Sequence, residues 1–318
     1  MTTIAQSPSS HPLPFTKRLM LALADIKLAH SVFALPFAIL AAFLVAPYKG
    51  DAPAHGIDWT TLAGMLALVV VCMVFARSWA MLVNRVADAK LDAANPRTQR
   101  RAFASGNLST RDGALLLTLC AVGFIAGASG FGLFYDNWIP LFLSIPVLLW
   151  IGFYSFTKRF TWLCHAFLGG ALAASPIAAA IAVGPELLVH EPSIYALSAM
   201  VLFWVAGFDM IYALQDMEHD QSAGLSSIPS RFGWKRAIWI ARAFHLISIS
   251  ALVLTWSLST QLSTLFLIAI GLTTLLLIYE HHILSKRGKA GIPMAFFTLN
   301  GIISLLIGSL GILDVILR

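Results

Sequence analysis

The sequence predicts an all-α polytopic membrane protein, a bundle of nine transmembrane helices. Three observations carry that fold class. Hydrophobic residues make up 58% of the 318 residues and charged residues only 11%, against about 25% charged in an ordinary soluble domain. Several apolar runs reach the ~18–20 residues that a membrane-spanning helix needs, and so few charges could not clothe them in water. The runs are continuously apolar, with no two-residue alternation, which argues against a β-barrel.

Taken in order, the residues 1–16 ("MTTIAQSPSSHPLPFT") are polar and rich in Pro and Ser, the composition of a disordered tail, and residues 17–318 form one transmembrane domain. The stretch "FTKRLMLALADIKLAH" is amphipathic, with Lys17, Arg18 and Lys27, and reads as an interfacial helix. Spans follow at 29–47, 61–83, 113–134, 138–156, 162–183, 194–212, 237–258, 262–283 and 292–313. Cys72, Cys120 and Cys164 each lie inside an apolar run with no CxxC pair, so they read as small buried residues.

Lysines and arginines fix the orientation, because the cytoplasmic loops retain them. With the N-terminus inside, Arg85, Lys90, Arg97, Arg100, Arg101, Arg111, Lys158, Arg159, Arg231, Lys235, Arg236, Lys286, Arg287 and Lys289 all fall inside. The opposite face keeps Lys49 and Arg318, beside Asp51, Asp58, Asp136, Glu186 and Glu191. This is the pattern of a multi-pass protein of the inner, cytoplasmic membrane. It also accounts for the net charge of +6 through topology, with no nucleic acid as partner.

Six of the fifteen acidic residues sit in two short segments, "NRVADAKLD" from Asn84 and "DMIYALQDMEHD" from Asp209. Both lie at cytoplasmic helix ends, so the central cavity opens to that side. Asp88 and Asp92 are four residues apart, as are Asp216 and Asp220; on a helix each pair shares a face, about 6 Å apart, and repels. Arg77, Asn84 and Asp88 fall within about 40° of one another around the axis, and Asp209, Tyr212, Asp216 and Asp220 form a comparable stripe. A hard divalent cation such as Mg²⁺ relieves the repulsion, taking one or two carboxylates together with phosphate oxygens. Arg97, Lys158, Arg159 and Arg231 fall on the same cytoplasmic side as these segments and suit phosphate. Acidic metal ligands beside basic residues point to a diphosphate, and the apolar spans offer a groove for a long hydrocarbon tail. Arg77 lies about 10 Å deep in its span, where a charge is costly and usually functional. Its partner is either a substrate anion or Asp88 as structural glue. His165, His245, His281 and His282 show no ligand spacing, His219 faces away from its stripe, and Arg242 snorkels or pairs at the end of its helix.

The two segments resemble the signature motifs of the UbiA superfamily of intramembrane prenyltransferases, NxxxDxxxD after the second span and DxxxxxxDxxxD with an inner tyrosine after the sixth. The stretches "IKLAHSVFALPFA", "YSFTKRFTWLCHAFLG" and "GLSSIPSRFG" are similar to the quinone-biosynthesis branch, 4-hydroxybenzoate polyprenyltransferases and their relatives in the futalosine route to menaquinone. The resemblance implies that Asn84, Asp88 and Asp92, with Asp209, Asp216 and Asp220, hold Mg²⁺ and through it a polyprenyl diphosphate. It gives Tyr212 a place within the motif, Arg77 a place as a buried arginine, and Lys158 a place beside the diphosphate. Arg97 and Arg231 join the diphosphate-binding set. Many relatives carry an arginine after the first aspartate where this chain reads Ala89-Lys90. The implied reaction transfers a polyprenyl group to the ring of an aromatic acid, through an allylic carbocation attacked by the carbon ortho to the ring hydroxyl. The acceptor is 4-hydroxybenzoate or the futalosine-route aromatic acid. An ion-coupled transporter is the rival class; its charges lie near the bilayer midplane on broken helices, whereas these acids gather at helix ends.

Overall fold

A computed structural model describes residues 14–26, 33–46 and 56–317. Among the described residues there is no β-strand, and eight helices are long and apolar enough to cross a membrane. The chain runs α1 (Phe15–Ile26), α2 (Leu35–Leu44), α3 (Trp59–Ala87), α4 (Ala89–Ala94), α5 (Thr110–Tyr135), α6 (Ile139–Thr157), α7 (Cys164–Val183), α8 (Pro185–Leu188), α9 (Ser193–Ala213), α10 (Met217–Ser222), α11 (Ile228–Leu258), α12 (Thr264–Arg287) and α13 (Asn300–Ile316). A 3₁₀ turn (Gly288–Gly291) and a six-residue π-helix (Met294–Leu299) lead into α13.

Local chemistry sets the helix starts. The Asp58 carboxylate accepts from the Thr60 and Thr61 amides at 3.2 Å and opens α3. Ser109 and Asp112 close a reciprocal capping box on α5, and Ser227 and Ser230 do the same on α11; each satisfies amide donors that the first turn leaves unpaired. α11 begins well before the expected 237, and Gly233 at φ 77° breaks its first turn from the rest, a conformation that glycine adopts at no steric cost.

Of the first expected span, 29–47, only residues 33–46 are described. Its described part is the ten-residue α2, about 15 Å long, half the ~30 Å of a bilayer's hydrocarbon core. Residues 29–32 and 47 lie outside the described residues. From Phe37 to Leu44 nearly every α2 side chain is buried, packed between α7, α13 and α3. The expected tail also lies outside the described residues as far as position 13, and α1 starts two residues inside it. Residue 27 of the amphipathic stretch lies outside as well. α1 docks on the bundle by burying Ala22 and Ile26 with Leu82, Phe103 and Leu116, while Arg18 pairs with Asp112 at 2.6 Å.

α9 is the centre of the bundle. Met200, Val201, Trp204, Val205 and Ala206 are fully buried along it, as a helix apolar all round must be. α7 and α11 flank it, and Gly169 of α7 lets the backbones close: a Cβ there would lie 2.3 Å from the Leu202 carbonyl oxygen. α3, α5 and α6 pack together on one side, α12 and α13 on the other, and α2 touches both groups.

Candidate active site

Both acidic segments fold as a helix, a break and a short second helix. α3 ends at Ala87, Asp88 takes φ −95°, ψ 4°, and the six-residue α4 follows. α9 ends at Ala213, Asp216 takes φ −101°, ψ 4°, and the six-residue α10 follows. The continuous helix expected through each pair is therefore corrected to a kink centred on its first aspartate. Backbone hydrogen bonds still link Asp92 to Asp88 at 2.7 Å and Asp220 to Asp216 at 2.8 Å, so the four-residue spacing survives the break.

Asp88 is buried, at 1% exposure. Lys158 Nζ donates to it at 2.5 Å, Arg159 at 2.8 Å and the Asn84 amide at 3.0 Å. One Arg101 nitrogen reaches both Asp92 oxygens at 2.8 Å. Across the site Arg97 forks onto Asp216, its Nε at 2.8 Å and its Nη2 on the other oxygen, while its Nη1 reaches the Tyr212 hydroxyl at 3.1 Å. The Asn95 amide adds 2.9 Å to the same carboxylate, so the loop after the first motif grips the second directly.

Burial alone would raise the Asp216 carboxyl, yet the Arg97 and Asn95 hydrogen bonds hold it below the usual carboxylate range. Asp220 has no such partner: burial first, then the Asp216 charge, push it up to about 6, and Ser227 Oγ donates to it only at 3.4 Å. A half-buried carboxyl beside the Asp216 charge, with no ion-pair partner of its own among the described residues, fits a hard divalent cation.

Arg97, Arg101, Lys158 and Asp220 line a cavity of about 520 Å³. Its walls carry Arg77, Arg85, Arg97, Arg100, Arg101 and Lys158 against the acids Asp25, Asp209 and Asp220, with Asn84 and Tyr212. Six cations to three carboxylates make it a site for an anion. Arg77, Met81, Tyr154, Leu168 and Leu172 also line a second, apolar cavity of about 340 Å³, walled by Val69, Cys72, Phe124 and Phe131 among others.

The expected residues are distributed unevenly around this space. Asp88, Asp92 and Asp216 do not line it; Lys158, Arg101 and Arg97, which pair with them, do. Arg77 does not pair with Asp88, whose partners are Asn84, Lys158 and Arg159; its buried Nε has no hydrogen-bond partner. Arg231 is turned away, stacked over the Trp162 and Phe232 rings at 5.7 and 5.6 Å. Lys90 is exposed. Arg242 lies 4.6 Å over the Trp239 ring and donates to Ser285.

Sequence reasoning missed Asn95, Arg101, Asp25 and His165. Asn95 and Arg101 stood in a basic loop read only as topology, and Asp25 in a helix read only as an anchor, its backbone and carboxylate now facing Arg85. His165 Nδ1 lies 2.7 Å from Asp209. These residues are 44 apart in sequence, so no spacing could have joined them, although His165 falls within a stretch singled out for its resemblance.

Residues 31–302 match the UbiA prenyltransferase family. The chain is 31% identical over 172 residues to a 4-hydroxybenzoate octaprenyltransferase of Methylococcus capsulatus, a match covering 54% of this chain and 56% of that protein. It thus spans little more than half the length of that relative. Among solved structures, the apo form of a UbiA homolog from Aeropyrum pernix superposes with a TM-score of 0.77 at 29% identity, covering 91% of this chain and 98% of the other. A UbiA homolog from Archaeoglobus fulgidus, bound to GPP and Mg²⁺, shares the fold at a TM-score of 0.67 and 19% identity, over 93% of this chain and 99% of its own. With its motifs folded as paired kinks and its sequence matched across most of its length, the chain belongs to the UbiA prenyltransferase family.

Proposed function

We propose that this protein transfers a polyprenyl group from an allylic polyprenyl diphosphate to the ring of an aromatic acid, 4-hydroxybenzoate or a similar acid, in quinone biosynthesis. One observation carries the reading: a cation-rich chamber flanked by both aspartate kinks shares a wall with an apolar chamber. A diphosphate with a hydrocarbon tail has that division of polarity. The Aeropyrum likeness and the 4-hydroxybenzoate octaprenyltransferase relative support it, and GPP with Mg²⁺ in the Archaeoglobus homolog supports the donor and metal classes.

Arg97, Arg101 and Lys158 hold the diphosphate through charge-assisted hydrogen bonds, giving up part of their grip on Asp216, Asp92 and Asp88. Mg²⁺ held by Asp88, Asp92, Asp216 and Asp220, with Asn84 and Asp209, would supply the Lewis-acid charge that eases departure of the diphosphate. Tyr212 is held by Arg97 on one side and by Phe296 on the other, with ring centroids 4.1 Å apart, and so keeps a rigid aromatic wall at the reacting end. Arg77, with a donor to spare, offers charge to the acceptor's carboxylate or to the diphosphate where the two chambers meet. The apolar lining keeps water from the allylic cation until the ring carbon ortho to the hydroxyl attacks and the ring loses its proton. Residues 17–318 act as one domain of the cytoplasmic membrane, with the N-terminus and the chamber mouth facing the cytoplasm.

Radiolabelled polyprenyl diphosphate and 4-hydroxybenzoate, given to purified protein in detergent, test the reading. Magnesium-dependent incorporation is expected, and Asp88→Ala and Asp216→Ala should each abolish it while the protein stays inserted and monodisperse. Activity retained in either variant removes the metal assignment. Ion flux in vesicles without incorporation would favour the transporter.

A further inference from the structure

We infer that His245, Glu280 and His281 form a second metal site, for one divalent transition-metal ion of the zinc, cobalt or iron class, apart from the aspartate chamber and independent of the reaction proposed for it. The three side chains bring α11 and α12 together inside the bundle. His245 Nδ1 lies 3.0 Å from His281 Nε2 and 3.9 Å from Glu280 Oε1, and one ligand atom from each residue lies within 4.8 Å of the others. Donors on a tetrahedral ion with bonds of ~2.0–2.1 Å stand about 3.3 Å apart, so small side-chain adjustments close the site.

Three features point to a ligand rather than a packed polar knot. His245 is 3% exposed and Glu280 0%. Of nine buried side-chain polar atoms without a hydrogen-bond partner among the described residues, five lie on these two helices: His245 Nε2, Ser248 Oγ, Thr273 Oγ1, Glu280 Oε1 and His281 Nδ1. Among these, Glu280 Oε1 is the buried, unpartnered atom that faces the imidazole pair, and an orphaned buried carboxylate oxygen calls for an ion or water.

The other Glu280 oxygen is already held. Asn300 Nδ2 donates to Oε2 at 2.9 Å and to the Ala295 carbonyl at 2.8 Å, while Asn300 Oδ1 accepts from Trp204 Nε1 at 2.7 Å. This leaves Oε1 as the single coordinating oxygen and fixes its direction, as outer partners do at metal sites. Two imidazoles and one carboxylate suit zinc or its transition-metal neighbours; Mg²⁺ takes oxygen ligands. Three protein ligands leave a fourth position open. The bound ion would staple α11 to α12 and, through Asn300, to the π-helix that carries Phe296 against Tyr212.

Tag-free, chelator-stripped full-length protein in detergent is titrated with Co²⁺ and Zn²⁺, reading bound metal by elemental analysis, visible Co²⁺ absorption and melting temperature. One Co²⁺ per chain with tetrahedral-type bands is expected beyond any ion on the aspartates, together with a higher melting temperature on adding Zn²⁺. The Asp88→Asn/Asp216→Asn double variant and His165→Gln should keep both signals. His281→Gln and Glu280→Gln should each weaken binding at least tenfold; Glu280→Gln keeps the side-chain shape and an oxygen for Asn300, so its monodisperse profile separates lost ligation from lost fold. Absent Co²⁺ bands in the parent protein, bands surviving in Glu280→Gln, or bands lost with the aspartate variants would each overturn the site.

Discussion

Asp216 and Asp220 are neighbours shifted in opposite directions. Arg97 and Asn95 keep Asp216 ionised, whereas burial and the Asp216 charge push Asp220 up to about 6. An unfolded aspartate titrates near 3.9, so between about pH 4 and 6 the folded chain binds more protons at Asp220 than the unfolded chain does. Stability from this residue therefore falls as pH rises through that window and stays low above it. In magnesium-free buffer with chelator, Asp220→Asn should raise the melting temperature at pH 7.5 and raise it much less at pH 4.5. An equal gain at both pH values would show that the Asp220 charge is not what costs stability. With saturating Mg²⁺ the order should reverse, because the parent then gains ligand-linked stability that the variant lacks. At this scale the sequence made the carboxylates legible through residue type and spacing. Their counter-charges were not, since Arg97 reaches Asp216 across 119 positions.

The two breaks give each motif the same build, a long helix feeding a six-residue one across an aspartate near φ −100°. Periodicity reads through such a break, because the hydrogen bond spanning four residues persists and only the axis turns; hence the spacing was visible and the kink was not. Helix packing makes its own demand at Gly169. A β-carbon there would drive α7 off the Leu202 carbonyl, so Gly169→Val should destabilise by about 1–3 kcal/mol, the usual range for overpacking. Gly271 has nothing within 4 Å of its would-be Cβ, and Gly271→Ala should be neutral or stabilising by up to ~1 kcal/mol. Denaturant titration of the two variants in one detergent makes the comparison. Similar losses in both would mean that the α7–α9 approach is not the tight point.

Across the whole molecule, chamber shape sets what the protein can hold. Cys72 is half-buried on the wall of the apolar chamber and does not line the charged one. Cys72→Trp should lower turnover of long prenyl diphosphates more than short ones, shifting their kcat/KM ratio at least fivefold, as competition assays with mixed chain lengths would read. A uniform loss would place the tail elsewhere. Hydrophobic run length predicted eight of the spans closely, because crossing a bilayer requires a fixed number of apolar residues whatever the neighbours are. The motif residues were likewise readable from the chain alone, their chemistry resting on local spacing. Only the folded bundle decided that Arg231 turns to aromatic rings, that His165 meets Asp209, and that His245 faces Glu280 and His281, because contacts between helices far apart in sequence depend on how the helices pack and leave no periodic trace in the chain.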